Sequence, residues 1–156
     1  MTEPRPRIGI IIADDDADDR LLITEALEQV SRIKVVRTVG DGQELMDLLN
    51  SGELGEGSQD LPYLVLLDLN MPRKDGREAL AEIRANPQIK CIPVVILSTS
   101  QSPQDVRTSY GLGANAYLCK PASFEKLVAT MKSVADFWGD MAVLPKPEKK
   151  CRELAP

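Results

Sequence analysis

YLVLLDLNMPRKDG, residues 63–76, joins a continuous apolar run to an acidic residue, a turn and the start of a helical pattern. Tyr63–Leu67 has the composition of a strand that is buried on both faces, which is typical of parallel sheets. Asp68 follows directly after that run, and the helical pattern begins at Gly76. This stretch therefore predicts a buried strand that ends in an aspartate at the edge of a sheet.

The same alternation of apolar runs and amphipathic segments extends along the chain on both sides. Five strands that alternate with five helices predict a parallel sheet covered on both faces. We therefore expect an α/β fold with a doubly wound five-stranded parallel sheet. The predicted strands are Ile8–Ala13, Lys34–Val39, Tyr63–Leu67, Pro93–Leu97 and Ala116–Cys119, and the predicted helices are about Asp18–Val30, Gln43–Leu49, Gly76–Ala85, Pro103–Leu112 and Ser123–Trp138.

One domain accounts for most of the 156 residues. We predict an N-terminal tail over residues 1–7, the domain over residues 8–138 and a C-terminal tail over residues 139–156. The segment Asn50–Pro62 is rich in Gly, Ser and acidic residues, so a surface loop is expected there.

The last helix has the clearest apolar stripe of the chain, which predicts a face packed on the core. Ser123 is its predicted N-cap, and Gly139 is its predicted end. The stripe consists of Phe124, Leu127, Val128, Met131, Val134, Ala135 and Trp138.

Composition restricts the partners of the chain. The net charge is −5 and the pI is about 4.8, which argues against general nucleic-acid binding and against attachment to an anionic membrane. No apolar run is long enough to span a bilayer, and the N-terminus lacks the pattern of a signal peptide, so we expect a cytoplasmic location. Three scattered cysteines favour reduced thiols over a disulfide framework.

The chain contains no histidine. This excludes histidine-based acid–base catalysis, histidine metal sites and a phosphohistidine within the chain itself. The remaining metal ligands are carboxylates, which favour hard cations such as Mg²⁺.

Polar residues follow four of the five predicted strands. In an open parallel sheet, ligands bind beyond the carboxyl ends of the strands. Asp14 and Asp15 follow the first strand, Asp68 the third, Ser98 the fourth and Lys120 the fifth. Crowded carboxylates favour a divalent cation, and an aspartate can attack phosphorus to form an acyl phosphate. The pattern therefore predicts a Mg²⁺ site with a phosphoacceptor, Asp68, and a fixed positive charge, Lys120.

Each of these residues also has an ordinary structural interpretation. Acidic residues after a strand often cap and solvate the first turn of a helix, and we prefer that interpretation for Asp16, Asp18 and Asp19. A single Lys-Pro is usually a turn, and a single Ser-Thr-Ser is usually a loop. The joint occurrence of these residues at the ends of the strands favours the functional interpretation for Asp14, Asp15 and Asp68.

Four motifs together resemble the receiver domain of response regulators, the phosphoacceptors of two-component signalling. They are IIADDD at 11–16, LLDLNMPRKDG at 66–76, VVILSTS at 94–100 and YLCKP at 117–121. The resemblance covers roughly residues 8–138 and implies a flavodoxin-like (βα)5 fold with strand order 2-1-3-4-5. It also implies a histidine kinase as partner. The LLDLNMPRKDGREALAEIR stretch, the long 50–62 loop and the terminal DFW at 136–138 resemble the small receivers associated with bacterial phytochromes.

The resemblance implies a role for each matching position. Asp68 matches the phosphorylated aspartate, and Asn70 matches the residue whose backbone carbonyl binds the metal. Asp15 matches the acidic Mg²⁺ ligand, and Asp14 matches its acidic neighbour, which usually holds a metal-bound water. Ser98 and Tyr117 match the two switch residues, Lys120 matches the lysine that pairs with the phosphoryl group, and the Lys120–Pro121 bond matches a cis peptide bond. A chain of this kind is a phosphoacceptor that promotes its own phosphorylation and dephosphorylation, not a classical enzyme.

The resemblance also implies a homodimer through helix 4, strand 5 and helix 5. Three other functions compete with the phosphoacceptor. A phosphatase of the haloacid-dehalogenase type would need a second aspartate as its general acid, and Asn70 occupies that position. A phosphorylation-independent binding module would not need the full set of acidic residues, Ser98 and Lys120. A transcription factor would need a DNA-binding segment, and the residues after Trp138 contain no helix-turn-helix pattern.

Overall fold

Five parallel strands form one sheet in the order β2-β1-β3-β4-β5. The computed structural model describes residues 6–30, 32–53 and 61–145. The strands are β1 Ile8–Ala13, β2 Ile33–Val39, β3 Tyr63–Leu67, β4 Val94–Ser98 and β5 Ala116–Cys119, and the helices are α1 Ala17–Glu28, α2 Gly42–Ser51, α3 Gly76–Ala85, α4 Pro103–Gly111 and α5 Phe124–Ala135. The predicted α/β fold and the strand order 2-1-3-4-5 are confirmed.

The three central strands are the continuous apolar runs of the sequence, and the residues of β1 and β4 are buried throughout. Two separate cores cover the two faces of the sheet. Ile11, Val65 and Ile96 belong to the core under α2 and α3, whereas Ile10, Leu66 and Val95 belong to the core under α1 and α5. Because neighbouring residues of a strand point to opposite faces, a strand buried on both faces must be apolar at every position.

Each of the five α-helices is preceded by a polar N-cap residue, whose side chain accepts a hydrogen bond from an amide of the first turn. Ser123 is the N-cap of α5, as predicted. The N-caps are Asp16, Asp41, Asp75, Ser102 and Ser123.

The register places the ends of the central strands side by side. Ala13 at the end of β1 pairs with Leu67 at the end of β3, and Ser98 at the end of β4 pairs with Cys119 at the end of β5. The residues that follow these strands therefore emerge at the same edge of the sheet.

The end of α5 differs from the prediction. Gly139 does not end the helical run, because a π-helix, Asp136–Met141, continues directly from α5. Arg32 lies 2.6 Å from Asp136 and 3.1 Å from Asp140, and Arg7 lies 3.1 Å from Asp140, so three ion pairs hold this turn against the start of β1 and β2.

Two further expectations concern segments that the structure describes only in part. The predicted Asn50–Pro62 loop begins later than expected, because α2 runs to Ser51, and residues 54–60 lie outside the described residues. Of the predicted tails, residues 1–5 and 146–156 also lie outside them. The domain limits therefore stay a prediction.

Cys119 is a free, exposed thiol, but Cys91 is disulfide-bonded, so the prediction of reduced thiols is wrong at Cys91. Pairing depends on which sulfur atoms the fold brings together, which the number and spacing of cysteines do not determine. In the part of the chain that the structure describes, none of the helices has the length and apolarity needed to cross a membrane.

Candidate functional site

The backbone of Asp68 continues the sheet beyond β3. Its amide donates to the carbonyl oxygen of Ala13 at 2.9 Å, which fixes the position of the residue relative to β1. The carboxylate is buried, and the nearby backbone amides of Asn70 and Leu69 act to lower its pKa. Gly76 at the start of α3 donates to the carbonyl of Leu69 at 2.9 Å and closes the turn behind the carboxylate.

Asp14 and Asp15 follow β1 at the same edge. The Asp14 amide donates to the carbonyl oxygen of Val39 at 3.1 Å, and its Oδ1 accepts from the amide of Asp16 at 2.9 Å. Asp14 is buried, whereas Asp15 is exposed. Carboxylate oxygens of Asp14, Asp15 and Asp68 all lie within 4.8 Å of one another, so the structure brings together the three predicted metal-binding side chains.

Lys120 is the cation of this cluster. Its Nζ lies 2.6 Å from Asp14 Oδ2, 2.9 Å from Asp19 Oδ2 and 3.6 Å from Asp68 Oδ2. The Lys120 amide donates to the carbonyl oxygen of Ser98 at 2.7 Å, which extends the β4–β5 pairing to the lysine. Burial alone would lower the pKa of Lys120, but the hydrogen bonds to Asp14 and Asp19 and the charge of Asp68 outweigh it and raise that pKa. Lys120 therefore stays charged at neutral pH.

Burial raises the pKa of Asp68 above that of an ordinary aspartate. The charge of Lys120 opposes this shift, the nearby charge of Asp14 adds to it, and the backbone amides of Asn70 and Leu69 oppose it. The Asp68 carboxylate is therefore less well stabilised than a carboxylate in water. Such a carboxylate tends to bind a cation or to react with an electrophile, because either event reduces its negative charge.

Ser98 is fully buried at the end of β4, and its Oγ accepts from the amide of Ser100 at 3.2 Å. Tyr117 on β5 is partly buried against the core, and its hydroxyl donates to the carbonyl oxygen of Ser100 at 2.8 Å. The two predicted switch residues therefore contact the same residue of the loop between β4 and α4.

An ionic network also holds this loop. Ser100 Oγ donates to Asp105 Oδ2 at 2.6 Å, and Arg77 on α3 donates to Asp105 Oδ1 at 2.7 Å. These two hydrogen bonds, from Ser100 first and then from Arg77, lower the pKa of Asp105.

Asn70 is exposed at the turn after Asp68, and its amide faces the carboxylate; the role of its carbonyl stays a prediction. The expectation of a cis Lys120–Pro121 bond is wrong, because the described residues contain no cis peptide bond. A trans bond is the ordinary state even before proline, since cis is the minor form there.

The structure adds one residue that the sequence interpretation missed. Asp16 does cap α1, as expected, but Asp19 contacts Lys120 instead of lying in a solvated turn. The spacing of residues along α1 could have predicted this contact, because Asp19 lies on the same face of the helix as the buried residues Ile23 and Leu27. A carboxylate on that face points toward the sheet.

The donor set suits a hard divalent cation. Oxygen atoms of the three carboxylates lie within 4.8 Å of one another and could all serve as ligands. Among the described residues, Lys120 is the one that forms salt bridges with Asp14 and Asp68. Mg²⁺ prefers one or two carboxylates together with water and phosphate oxygens, so the residues present fit it. The partly exposed rim leaves Asp15 open to solvent.

Comparison with known proteins gives one consistent family. The family model for the response regulator receiver domain matches residues 10–132. Response regulator Rcp1 from Synechocystis sp. is 39% identical over 140 residues, which is 90% of this chain and 94% of that protein. The phosphorylated cyanobacterial phytochrome response regulator RcpA is 44% identical with a TM-score of 0.79, over 89% of this chain and 99% of that one. The Mn²⁺-bound form of Rcp1 is 38% identical with a TM-score of 0.76, over 88% and 99%.

Proposed function

Because this chain belongs to the response regulator receiver family, we propose that it accepts a phosphoryl group on Asp68 from a histidine kinase and signals through the resulting change of its surface. The observation that carries the proposal is the convergence of Asp14, Asp15 and Asp68 with Lys120 at the carboxyl edge of the sheet.

In the proposed transfer, a carboxylate oxygen of Asp68 attacks the phosphorus of a phosphohistidine on the kinase. The P–N bond breaks, and its electron pair stays on the imidazole nitrogen. Lys120 lies 3.6 Å from Asp68 Oδ2, close enough to pair with an oxygen of the arriving phosphoryl group after a small movement. In the proposed dephosphorylation, which the same residues would assist, water attacks the phosphorus, the P–O bond to Asp68 breaks, and inorganic phosphate leaves Asp68 as a free carboxylate.

The side chains of Asp14, Asp15 and Asp68 and the backbone carbonyl of Asn70 would hold Mg²⁺. The ion would supply charge neutralisation for the phosphoryl oxygens. Asp14 is already bound to Lys120 and to the amide of Asp16, whereas Asp15 is exposed. Asp15 is therefore the better candidate for a direct ligand, and Asp14 for one that acts through a bound water.

The proposed switch runs through Ser98 and Tyr117. A phosphoryl group adds about −1.5 to −2 charges and strong acceptor oxygens at the rim. Ser98 would then move toward the phosphoryl group, donate its hydroxyl hydrogen to a phosphoryl oxygen, and give up its hydrogen bond with the amide of Ser100. Because Tyr117 is bound to the carbonyl of that same residue, a shift of the loop would change the surface around Tyr117 and α4.

The proposed kinase surface is the face of α1 beside the rim. Leu22 is exposed there and lines a small pocket of about 80 Å³ together with Lys120 and Phe124. An apolar helix of a kinase would find both a contact surface and access to Asp68 at this point. Since RcpA is a phytochrome response regulator, a bacteriophytochrome-type kinase is the proposed partner, with the cytoplasm as the proposed location.

The proposed homodimer uses α4, β5 and α5. Tyr110 on α4 and Phe137 after α5 are each half exposed. A mainly apolar groove of about 340 Å³ lies between β5 and the end of α5, lined among others by Leu118, Phe137 and Trp138. Trp138 packs partly on the core, so it also serves the fold. Apolar residues left on one face suit an isologous contact about a two-fold axis.

The phosphoacceptor is tested with Asp68→Asn. Incubation with acetyl phosphate and Mg²⁺ should label the wild type with a hydroxylamine-sensitive phosphoryl group and leave Asp68→Asn unlabelled, because an amide is not a nucleophile in this transfer. Asp18→Asn is the matched control, since it makes the same change at an exposed position of the same rim. Equal labelling of Asp68→Asn and the wild type would refute the assignment.

The dimer is tested separately by light scattering at several protein concentrations. The wild type should be dimeric at tens of micromolar, and the double variant Tyr110→Ala, Trp138→Ala should be shifted toward the monomer. Circular dichroism of the double variant controls for loss of fold. A monomeric wild type, phosphorylated or not, would remove the dimer and leave the phosphoacceptor assignment in place.

A further inference from the structure

Asp19 contributes a third carboxylate to Lys120. It lies in the first turn of α1, and its Oδ2 is 2.9 Å from Lys120 Nζ, within ordinary hydrogen-bond distance. The lysine side chain is 9% exposed and that of Asp19 34%, so the contact lies at the border of the buried cluster. It joins α1 to the residue that follows β5.

The distances around the ammonium group are unequal. Lys120 has three N–H donors, and Asp14 at 2.6 Å and Asp19 at 2.9 Å accept from two of them. Asp68 Oδ2, at 3.6 Å, is an ion-pair partner beyond hydrogen-bond distance. The ammonium group is therefore held toward Asp14 and Asp19 and away from the phosphoacceptor.

We propose that Asp19 is a positioning residue that competes with the phosphoryl group for Lys120 and so weakens the phosphorylated form. This inference rests on the proposed function and deepens it. A phosphoryl oxygen on Asp68 would accept from Lys120 only if Nζ moved toward it from its position 3.6 Å from Asp68 Oδ2, and the contacts with Asp14 and Asp19 oppose that movement. Asp14 is itself fixed by the amide of Asp16 and by its own backbone. Asp19 is more exposed than Asp14, so water can replace its contact with Lys120. The Asp19 contact is therefore the one that breaks when Lys120 moves toward the phosphoryl group.

The competing interpretation is that Asp19 only adds negative charge to the start of α1, where acidic residues stabilise a helix. Asp18 offers the comparison that separates the two. It is the neighbouring residue in the same turn, it carries the same charge, and it is exposed. A pure charge effect would appear at both positions, whereas competition for Lys120 would appear at Asp19.

The test is binding of beryllofluoride, a phosphoryl mimic, at saturating Mg²⁺ by calorimetry. The proteins are the wild type, Asp19→Asn, Asp19→Glu and Asp18→Asn. Loss of one charge-assisted hydrogen bond at a partly exposed site should make Asp19→Asn bind about threefold to tenfold more tightly than Asp18→Asn. Asp19→Glu keeps the carboxylate and should stay within about twofold of the wild type. Melting curves check that each variant is folded.

The outcomes are distinct. Tighter binding by Asp19→Asn alone supports competition, since damage to the structure would weaken binding. Equal binding by Asp19→Asn and Asp18→Asn, or weaker binding by Asp19→Asn than by the wild type, would overturn the inference and leave the proposed function standing. Failure of the wild type itself to bind beryllofluoride with Mg²⁺ would overturn the proposed function, and this inference with it.

Discussion

Replacing Gly76 with alanine is expected to damage the fold and the candidate site together. A Cβ atom at Gly76 would lie 2.2 Å from the carbonyl oxygen of Asp68 and 2.9 Å from the Cα of Leu69. Both are backbone atoms, so no change of rotamer can relieve the contact. The first turn of α3 would have to move by about 0.8 Å to bring the shorter distance to 3.0 Å.

The size of the effect follows from the immobility of these atoms. Overpacking in a filled interior costs about 1–3 kcal/mol, and we expect a loss of about 3 kcal/mol here because the turn after β3 is fixed on both sides. The amide of Gly76 is bound to the carbonyl of Leu69, and the amide of Asp68 is bound to Ala13. For a domain of this size the midpoint of thermal unfolding should fall by about 6–12 °C.

Gly111→Ala is the matched control. Gly111 is the last residue of α4, and an added Cβ meets nothing within 4 Å. Alanine there should change the free energy of unfolding by less than about 1 kcal/mol, in the stabilising direction.

The assay combines denaturant unfolding with calorimetric titration of Mg²⁺. Gly76→Ala should unfold at a lower denaturant concentration and bind Mg²⁺ more weakly, because displacing Asp68 moves one of the three carboxylates. If Gly76→Ala and Gly111→Ala were equally stable and had equal Mg²⁺ affinity, the close contact between α3 and Asp68 would be refuted.

Three further predictions concern single side chains. Asp15→Ala should weaken Mg²⁺ binding more than Asp14→Ala does, because the exposed Asp15 is the proposed direct ligand; calorimetry giving three equal affinities for the two variants and the wild type would contradict the carboxylate site. Asp105→Asn should lower stability at neutral pH. The fold lowers the pKa of Asp105, so its contribution to the free energy of unfolding is complete above the ordinary aspartate pKa of about 3.9 and is lost as the pH falls through the pKa of the folded state. Melting curves of the variant and the wild type should therefore converge only in acid. Structures with and without beryllofluoride should differ in the positions of Ser98 and Tyr117, and superimposable side chains would exclude the proposed switch.

The strands, and the edge of the sheet that carries the site, could be predicted from the sequence because a strand buried on both faces appears as a continuous apolar run. β1 and β3 are unbroken apolar runs, β4 is apolar up to Leu97, and the polar residue after each run marks the carboxyl end of a strand. Asp14, Asp15 and Asp68 were placed by this argument alone, and their oxygens do lie together. Their roles in metal binding and phosphorylation stay predictions until they are tested.

What the sequence did not yield depends on contacts between distant residues. Gly139 has the character of a helix end, but Arg32 and Arg7 bind the acidic residues of the π-helix from the other end of the chain. Asp19 looks like any acidic residue of a first helical turn until the position of Lys120 is known. In both places an ion pair across more than 100 residues decides the local structure.

The backbone amides of the site have a consequence for how the protein can be regulated. Asp14, Asp68 and Lys120 each donate an amide hydrogen to the neighbouring strand, so the site's own main chain is part of the sheet's ladder. Amides bonded between core strands open at the high end of the range of opening free energies. Asp14 and Asp68 follow the buried strands β1 and β3, so we expect their backbone to open rarely. A signal at this edge is therefore expected to travel through side chains and the β4–α4 loop, and not through local melting of the site.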